Sequence, residues 1–328
     1  MTNIIEVRNL VKKYGNFTAV KDISFNVEAG EVFGFLGPNG AGKTTTINIL
    51  CVLLKPTSGT ALVKGFDISR EPMKVRESIG LIFQEPSLDN QLTARENLQI
   101  HGELYGVHPD TIKKRIPEVL DMVELSDWAN RLAGTYSGGM KRRLEIARGL
   151  LHHPQILFMD EPTLGLDPQT RSHIWQYIMR LHQEEGVTVF LTTHYMDEAE
   201  HCGRIAIIDH GEIVAIDTPA RLKAMVGDDI IILDTVNNEI AIDIIEKQFG
   251  ISAKKIHDGL QFEVAEGGRF IPGFITSFSA DEKHPRILSI SLRRPTLDDV
   301  FLKMTGRGIR QQGADAAEAQ RVFFKLQR

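Results

Sequence analysis

Residues 37–44 of the chain are Gly37-Pro38-Asn39-Gly40-Ala41-Gly42-Lys43-Thr44, and they match the pattern G-x-x-x-x-G-K-[ST] in full. The apolar run before them, residues 31–36, predicts a buried strand, and residues 45–54 after them predict a helix. A strand, a glycine-rich turn and a helix form the context in which this pattern binds phosphate. The alternative is a glycine-rich turn that merely joins a strand to a helix.

The residue types in this loop suit anionic oxygens. Glycines allow the backbone to wrap closely, so that successive N–H groups point inward at a phosphate. The N-terminus of the following helix adds a partial positive charge. Lys43 supplies a full charge for the terminal phosphates, and the hydroxyl of Thr44 is suited to ligating Mg²⁺. We therefore expect a phosphate site that also binds Mg²⁺.

The bulk properties narrow the class of protein. A chain of 328 residues can form two domains. Its 42% hydrophobic and 25% charged residues are ordinary for a soluble globular protein. A net charge of −5 argues against nucleic acid as the main partner, because such binders usually present a basic face. A local basic patch would still be compatible with this net charge.

Cysteine usage and the apolar runs bear on the cell compartment. Cys51 and Cys202 fit no metal-binding spacing and suggest a reducing compartment. The first residues lack the basic region and the long apolar run of a signal peptide. No uncharged apolar run approaches the roughly 20 residues that a membrane helix needs. We expect a chain that does not span a membrane by itself, while docking on a membrane stays open.

The pattern of apolar residues predicts an α/β protein with a helical insert. Short strands are predicted across residues 3–36, and buried strands that alternate with helices indicate a largely parallel sheet. From about Leu92 to Leu151 helical periodicity replaces this rhythm. The predicted helices of the insert run from Thr93 (in a capping box with Glu96) to Tyr105, from Pro109 to Val123, and from Ser137 to His152.

Beyond about Asp228 the order of predicted elements changes to β-α-β(β)-α-β. That order suggests a small ferredoxin-like α+β domain, followed by a helix that Thr296 caps. The last twenty or so residues predict a tail in the form of a loose helix. The expected organisation is therefore a first domain over residues 1–225 with a helical subdomain at about 86–152, a small α+β domain over 226–306, and a tail over 307–328.

Two acidic residues follow a predicted buried strand. Asp160 ends the strand, and its carboxylate suits Mg²⁺ because it lies at the edge of the sheet beside the phosphate loop. Glu161 is expected to point elsewhere, because adjacent residues at a strand end diverge. It can then polarise a water that attacks the γ-phosphorus, since transfer to water needs a group to take the proton. The alternative is a pair of solvated carboxylates.

A second helix end also suits an anion. Tyr136-Ser137-Gly138-Gly139-Met140 exposes backbone N–H groups and a hydroxyl at a predicted helix start. The alternative is that Ser137 is an ordinary N-cap beside flexible glycines. Tyr14 lies in an early turn, where its ring suits stacking on a base and equally suits a surface or half-buried position.

Together these motifs resemble an ATP-binding-cassette (ABC) ATPase over roughly residues 3–220. The motifs that come in the family's order and spacing are Gly37–Thr44, Gln84, Tyr136–Met140, Asp160-Glu161, Leu164-Gly165-Leu166-Asp167 and His194. The resemblance implies the P-loop NTPase fold of ABC type, with a mainly parallel sheet core, an antiparallel β subdomain and a helical subdomain. It also implies that two copies pair head to tail and enclose two ATP molecules.

The resemblance implies a role for each matching residue. Tyr14 would stack on adenine, and Asp167 would contact the other copy of the dimer. The implied catalytic residues are Glu161, His194 and Gln84; the ATP-binding residues are Gly37, Pro38, Asn39, Gly40, Ala41, Gly42, Lys43, Thr44 and Thr45; the Mg²⁺ ligands are Thr44, Gln84 and Asp160; and the residues that contact the γ-phosphate of the other copy are Ser137, Gly138 and Gly139.

One departure from the family's commonest signature, Leu-Ser-Gly-Gly-Gln, points to a branch. Tyr136 replaces Leu and Met140 replaces Gln, while Ser-Gly-Gly is intact. Residues 136–143 and 294–306 resemble the branch that powers drug and antibiotic exporters of the daunorubicin-resistance type.

The implied function is the ATPase subunit of an exporter. It would form a homodimer on the cytoplasmic side of the membrane, bind ATP and Mg²⁺, and work with a separate integral membrane permease, with no nucleic acid partner expected. The alternatives are an ABC ATPase without a transport role, the energiser of an importer, and an ATP-gated clamp or adaptor that does not hydrolyse ATP.

Overall fold

The computed structural model describes residues 2–85, 87–257, 259–281 and 283–306. The strands are β1 (Asn3–Tyr14), β2 (Phe17–Glu28), β3 (Val32–Leu36), β4 (Ser58–Val63), β5 (Phe66–Asp67), β6 (Ile79–Ile82), β7 (Ile156–Asp160), β8 (Thr188–Thr193), β9 (Arg204–Asp209), β10 (Glu212–Asp217), β11 (Asp229–Thr235), β12 (Ala253–Ile256), β13 (Gly259–Val264) and β14 (Ile287–Arg293). The α-helices are α1 (Lys43–Leu50), α2 (Pro72–Ser78), α3 (Ala94–Leu104), α4 (Pro109–Met122), α5 (Gly138–Leu150), α6 (Pro168–Glu185), α7 (Met196–Ala199), α8 (Pro219–Ala224), α9 (Asn238–Ile244), α10 (Gly267–Phe278) and α11 (Leu297–Thr305).

The chain divides into two compact units between Thr218 and Pro219. The sequence places this boundary at residues 225/226, so the division puts α8 in the second unit. Within that unit α8 packs on α11, and Lys303 Nζ donates to the carbonyls of Met225 and Val226, each at 2.8 Å. These contacts attach the segment around residue 225 to the second unit.

A six-stranded sheet forms the centre of the first unit, in the order β10-β9-β3-β8-β7-β6. All neighbours pair in parallel except β10, which runs antiparallel to β9. β3, β7 and β8 are buried along their whole length; β3 and β7 are almost continuously apolar, as is typical of strands covered on both faces, whereas three of the six residues of β8 are threonines. The prediction of a mainly parallel core is confirmed. Because parallel strands end at the same edge, the segments after these three strands meet there.

The antiparallel sheet of the first unit has the order β2-β1-β4-β5. The prediction of short strands across residues 3–36 is wrong in length, because β1 and β2 each run for 12 residues. Register shifts interrupt their pairing, and Asn9 and Asp22 adopt φ angles of 49° and 54°. Asn9 Nδ2 donates to Asp22 Oδ1 at 3.0 Å. Irregularities of this kind bend a strand without ending it, so polar residues inside the run do not mark turns.

The helical insert contains α3, α4 and α5. Thr93 and Glu96 form the predicted capping box at the start of α3, with both reciprocal hydrogen bonds present. Ser137 N-caps α5, and its Oγ accepts from Met140 N at 3.2 Å. The three predicted helices are confirmed to within about two residues, which is the usual uncertainty of helix ends. The subdomain that we predict at 86–152 starts at a residue outside the described part of the chain.

The second unit is built on an antiparallel sheet of order β12-β13-β11-β14. Its elements follow one another as strand, helix, strand, strand, helix, strand. Ile231, Leu233, Phe262, Phe274 and Phe278 are buried in its core. Thr296 caps α11 in a capping box with Asp299, as the sequence predicts for this threonine. The predicted tail, residues 307–328, lies outside the described residues.

Candidate functional site

The phosphate loop connects β3 to α1, and its backbone excludes larger residues. Gly40 and Gly42 have φ angles of 81° and 105°. A Cβ atom on Gly42 would lie 2.6 Å from the carbonyl oxygen of Ala19, so only glycine fits there. Gly42 is also the N-cap of α1, and no side chain caps this helix. The first N–H groups of α1 therefore remain donors for a ligand at the loop.

Lys43 and Glu161 form a buried ion pair beside the loop, and the half-buried His194 lies next to this pair. Lys43 Nζ lies 3.3 Å from Glu161 Oε1 and donates to the carbonyls of Gly37 (2.8 Å) and Pro38 (3.1 Å). His194 Nδ1 lies 3.2 Å from the same Glu161 oxygen. Lys43 is 4% exposed and Glu161 is 8% exposed. Lys43 lies more than a hundred positions before Glu161 and His194 in the sequence, and the end of the parallel sheet brings the three residues together.

The charges in this group set its protonation. Burial acts to raise the pKa of Glu161, but the His194 ring and the Lys43 charge together bring the pKa below its usual value. Burial lowers the pKa of Lys43, against the opposing effect of Glu161 and Asp160. A carboxylate with a lowered pKa is ionised at neutral pH, and an ionised carboxylate can accept a proton from water.

Asp160 lies beside Thr44 at the end of β7. Asp160 Oδ1 accepts hydrogen bonds from Thr44 Oγ1 (3.2 Å) and Thr192 Oγ1 (2.5 Å). Burial raises the pKa of Asp160, and these two hydrogen bonds oppose the rise.

A hydroxyl and a carboxylate are hard oxygen ligands of the type that Mg²⁺ prefers. In the described part of the chain no group of three or more His, Cys, Asp or Glu side chains is placed to bind a metal. Mg²⁺ commonly binds through one or two carboxylates, several waters and substrate phosphates. The pair of Thr44 and Asp160 therefore fits Mg²⁺ that arrives with a phosphate.

The backbone separates the two adjacent carboxylates. Glu161 has a φ angle of 45°, in the left-handed region that a non-glycine residue seldom adopts. Its N–H donates to Thr192 Oγ1 at 3.0 Å. As a result Asp160 contacts Thr44, whereas Glu161 contacts Lys43 and His194. A left-handed residue of this kind costs about 1–2 kcal/mol and is typical of functional sites.

The Ser-Gly-Gly segment lies at the exposed N-terminus of α5, next to the start of α6. A Cβ atom on Gly139 would lie 2.5 Å from Thr170 Cγ2, so a larger residue there would have to displace the Thr170 side chain. Asp167 N-caps α6, and its carboxylate accepts from Thr170 N (3.0 Å) and Thr170 Oγ1 (2.6 Å). The structure thus brings Ser137–Gly139 together with Asp167, while Lys43, Thr44, Asp160, Glu161 and His194 form the other group.

The remaining predicted residues lie at strand ends. Tyr14 is the last residue of β1, is half-buried, and has Lys12 Nζ 5.1 Å from its ring centroid. Gln84 is exposed and follows β6 by two positions. Their roles stay predictions.

Tyr136, which replaces the family's leucine, is a structural residue of the helical insert. Its ring is buried and meets the Trp128 ring edge-on, with 5.8 Å between the centroids. Its hydroxyl donates to the carbonyl oxygen of Trp128 at 2.7 Å. Burial raises the pKa of Tyr136. Tyr136 therefore fills space next to the Ser-Gly-Gly segment, and its buried hydroxyl has a hydrogen-bond partner.

Two site residues escaped the sequence analysis. Thr192 bonds both Asp160 and the N–H of Glu161, and the available signal was its polar side chain near the end of a buried strand. Glu198 is fully buried and accepts hydrogen bonds from the hydroxyls of Thr163 and Thr193, the latter at 2.6 Å. No pattern in the sequence marks Glu198, because it lies in a short polar helix.

Comparisons with known sequences agree with these motifs. The profile of the ABC transporter family matches residues 20–164. The linearmycin resistance ATP-binding protein LnrL of Bacillus subtilis (strain 168) is 41% identical over 312 residues, which cover 94% of this chain and 100% of LnrL. The daunorubicin/doxorubicin resistance ATP-binding protein DrrA of Streptomyces peucetius is 39% identical over 328 residues, which cover 98% of each chain.

Solved structures of ATP-binding cassettes are similar to this chain. The dimeric, post-hydrolysis structure of the ATP-binding cassette MJ0796, bound to ADP and Pi, matches with a TM-score of 0.59 and 33% identity, over 65% of this chain and 98% of that chain. CbiO1 from Clostridium perfringens, part of the transporter complex cbiONQ, matches with a TM-score of 0.64 and 28% identity, over 76% of this chain and 97% of that chain.

Proposed function

The chain belongs to the ABC transporter ATPase family, and from this membership we propose that it powers an exporter of drug-like or antibiotic molecules through a separate permease. As a member of the family it binds nucleotide and hydrolyses ATP. The proposal of export draws on LnrL and DrrA, which are resistance proteins similar to this chain over almost its full length.

The observation that supports hydrolysis most directly is the position of Glu161 between Lys43 and His194. In our proposal the phosphates of ATP bind the loop of residues 37–45, and Lys43 moves from Glu161 to the phosphate oxygens. Glu161 then takes the proton of the attacking water, while Gln84 and His194 orient the water and the γ-phosphate. Mg²⁺, bound by Thr44, Asp160 and Gln84, would neutralise the phosphate charge.

We further propose that the working form is a head-to-tail homodimer. In this arrangement Ser137, Gly138 and Gly139 of one copy bind the γ-phosphate that the loop of the other copy holds, and Asp167 contacts the other copy. The exposed N-terminus of α5 supports the idea, because its N–H groups can receive an anion. ATP would favour the closed dimer, and this difference in affinity would perform the work of transport.

Crosslinking between two variants tests the dimer. Asn39 is exposed and occupies a variable position of the loop pattern, and Asn39→Cys keeps the backbone N–H through which a residue of this loop binds phosphate. ATP binding by this variant is measured before the crosslinking. We expect a mixture of Asn39→Cys and Gly138→Cys chains to form a covalent dimer with a short bis-maleimide when ATP is present, and little without ATP. The native Cys51 and Cys202 are both buried, so we expect their thiols to react little with the bis-maleimide.

The controls for this experiment are the two variants alone. Each should give little covalent dimer, because a head-to-tail pair places residue 39 opposite residue 138 rather than opposite its own copy. A mixture that stays monomeric on a denaturing gel with saturating ATP would contradict the shared site.

The permease partner has a direct test. None of the described helices is both long and apolar enough to span a bilayer. We propose that the chain is peripheral, on the cytoplasmic side of the membrane, and we expect a tagged chain purified from membranes in mild detergent to bring down an integral membrane protein in fixed proportion. Recovery without any integral protein would instead favour an ABC ATPase that has no transport role.

The domain limits also belong to this proposal. We propose an ABC ATPase domain with a helical subdomain at about 86–152, an α+β domain that ends at residue 306, and a tail over 307–328. The sequence places the boundary between the two domains at 225/226, and the division into compact units moves it to 218/219. The antiparallel sheet and the separate core of the second unit support an independent α+β domain.

A further inference from the structure

Arg142 is a buried cation that the family motifs leave without a role. It lies on α5, one turn after the Ser-Gly-Gly segment, and only 5% of it is exposed. Its Nη1 lies 3.1 Å from Oε2 of Glu145, which is 0% exposed. Burial lowers the pKa of Arg142, and the charge of Glu145 opposes this effect. A buried ion pair is weak evidence for stability, because desolvation costs much of what the attraction gains. The pair therefore calls for another explanation.

The guanidinium of Arg142 binds backbone carbonyls on two separate segments. Nε donates to the carbonyl of Pro162 at 2.5 Å, and Nη2 donates to those of Glu161 (3.3 Å) and Asp160 (3.4 Å). Nη1 donates to the carbonyl of Phe83 at 2.5 Å. A planar guanidinium presents its donors in a fixed fork, so these carbonyls are held in one spatial relation to α5.

Glu145 extends the same network to the segment that follows Gln84. Its Oε1 accepts from Ser87 N at 2.7 Å, and Arg148 Nη2 lies 3.7 Å from that oxygen. Arg148 in turn donates to the carbonyl of Ser87 at 2.8 Å. The segment that contains Gln84 is thus bonded on both sides, at Phe83 through Arg142 and at Ser87 through Glu145 and Arg148.

We propose that Arg142 is a positioning residue that links the Ser-Gly-Gly end of α5 to the two segments of the same chain that carry Glu161 and Gln84. When α5 meets the γ-phosphate held by the other copy, Arg142 sets the backbone beneath Glu161 and next to Gln84. Arrival of the partner's phosphate at one end of α5 is thereby transmitted to the hydrolytic residues of the chain's own site. This inference rests on the proposed ATPase dimer.

The geometry predicts which kinetic constant changes. Glu161 adopts a left-handed backbone conformation, and its carbonyl bond to Arg142 fixes that turn. Lys43 donates to the loop carbonyls of Gly37 and Pro38, which belong to a different segment from those that Arg142 binds. Loss of Arg142 should therefore misplace the hydrolytic groups and leave the phosphate loop intact.

The test compares Arg142→Gln with Arg143→Gln in the full-length chain. A misplacement of about 1 Å at reacting groups costs about 100-fold in rate, so we expect Arg142→Gln to lower kcat by about 10- to 100-fold. We expect KM and the Kd for a fluorescent ATP analogue to change by less than about twofold. Arg143 is the matched control, because it lies next along α5 and donates to the carbonyls of Val123 (3.1 Å) and Glu124 (3.5 Å) instead. Arg143→Gln should leave kcat within about twofold.

A double variant separates positioning from folding. Arg142→Gln removes the nearer counter-charge of the buried Glu145, while Arg148 stays 3.7 Å away, so the Tm of this variant is expected to fall. Arg142→Gln with Glu145→Gln removes the poorly compensated charge, keeps a side-chain oxygen that can accept from Ser87 N, and should recover Tm. Under our proposal kcat stays low in the double variant. Recovery of kcat together with Tm would overturn the proposal, as would a loss of ATP affinity as large as the loss of kcat.

The same assay distinguishes failure of this inference from failure of the proposed function. If the native chain hydrolyses ATP, Glu161→Gln abolishes the activity and Arg142→Gln retains it, then only the role of Arg142 is wrong. If the activity of the native chain does not depend on Glu161, the proposed function is wrong, and the inference about Arg142 falls with it.

Discussion

Glu161→Gln is expected to lower the kcat of ATP hydrolysis by about 10²–10⁴-fold, the range that general-base catalysis contributes. Gln keeps the size of the side chain and its ability to accept a hydrogen bond, but it cannot take a proton from water. Lys43 retains its bonds to the carbonyls of Gly37 and Pro38, so the loop keeps its shape. ATP binding should therefore persist, and a dimer with ATP enclosed should accumulate.

Two measurements check this expectation. Phosphate release gives kcat, and light scattering with excess ATP gives the mass of the particle. Glu184→Gln is a suitable control, because Glu184 is an exposed carboxylate near the far end of α6. A Glu161→Gln chain that remained monomeric with ATP, or hydrolysed it at the native rate, would contradict the assignment of Glu161.

Lys43→Ala is expected to weaken ATP binding by about 10- to 100-fold. This estimate follows from the roughly 1.5–3 kcal/mol that a hydrogen bond to a charged group contributes, with 1.4 kcal/mol per factor of ten. A neighbouring cation cannot easily take the place of Lys43, because the Lys43 side chain is buried and bonded to a carbonyl of the loop. Its loss also leaves Glu161 with one counter-charge fewer, so the pKa of Glu161 should rise and hydrolysis should fall further.

Titration of each variant with a fluorescent ATP analogue measures the effect. Lys74→Ala is the matched control, because Lys74 is an exposed lysine that pairs with Glu71 at 2.8 Å on α2. An exposed pair of this kind contributes about 0–1 kcal/mol, and its loss should leave the Kd for ATP unchanged. An unchanged Kd in Lys43→Ala itself would count against the phosphate loop.

The sequence predicted the parts of the fold that local patterns determine. The capping box at Thr93 and the N-cap at Thr296 are confirmed, since a cap depends on residues only three positions apart. The mainly parallel core is confirmed, because continuous apolar runs mark strands that are buried on both faces. The lengths of β1 and β2 were missed because their irregularities at Asn9 and Asp22 depend on pairing between strands.

The contacts of the candidate site also separate into those that local patterns predict and those that they do not. Lys43 belongs to the phosphate-loop motif, Asp160 ends a buried strand and Glu161 follows it, so the meeting of these residues at one edge of the sheet was predictable. Contacts that depend on the tertiary structure were not predictable. The hydroxyl of Thr192 bonds Asp160, and the guanidinium of Arg142 binds carbonyls that lie about twenty and sixty positions away in the sequence. No local pattern marks contacts of this range.

The left-handed backbone at Glu161 has a consequence for protein engineering. Glycine adopts that conformation without the steric cost of a side chain, so Glu161→Gly removes a strain of about 1 kcal/mol. The same change leaves the buried Lys43 without its counter-charge, and the loss of one partner of a buried ion pair costs about 3–5 kcal/mol. A screen for heat resistance would therefore retain Glu161, and thermal robustness and turnover select the same residue at this position.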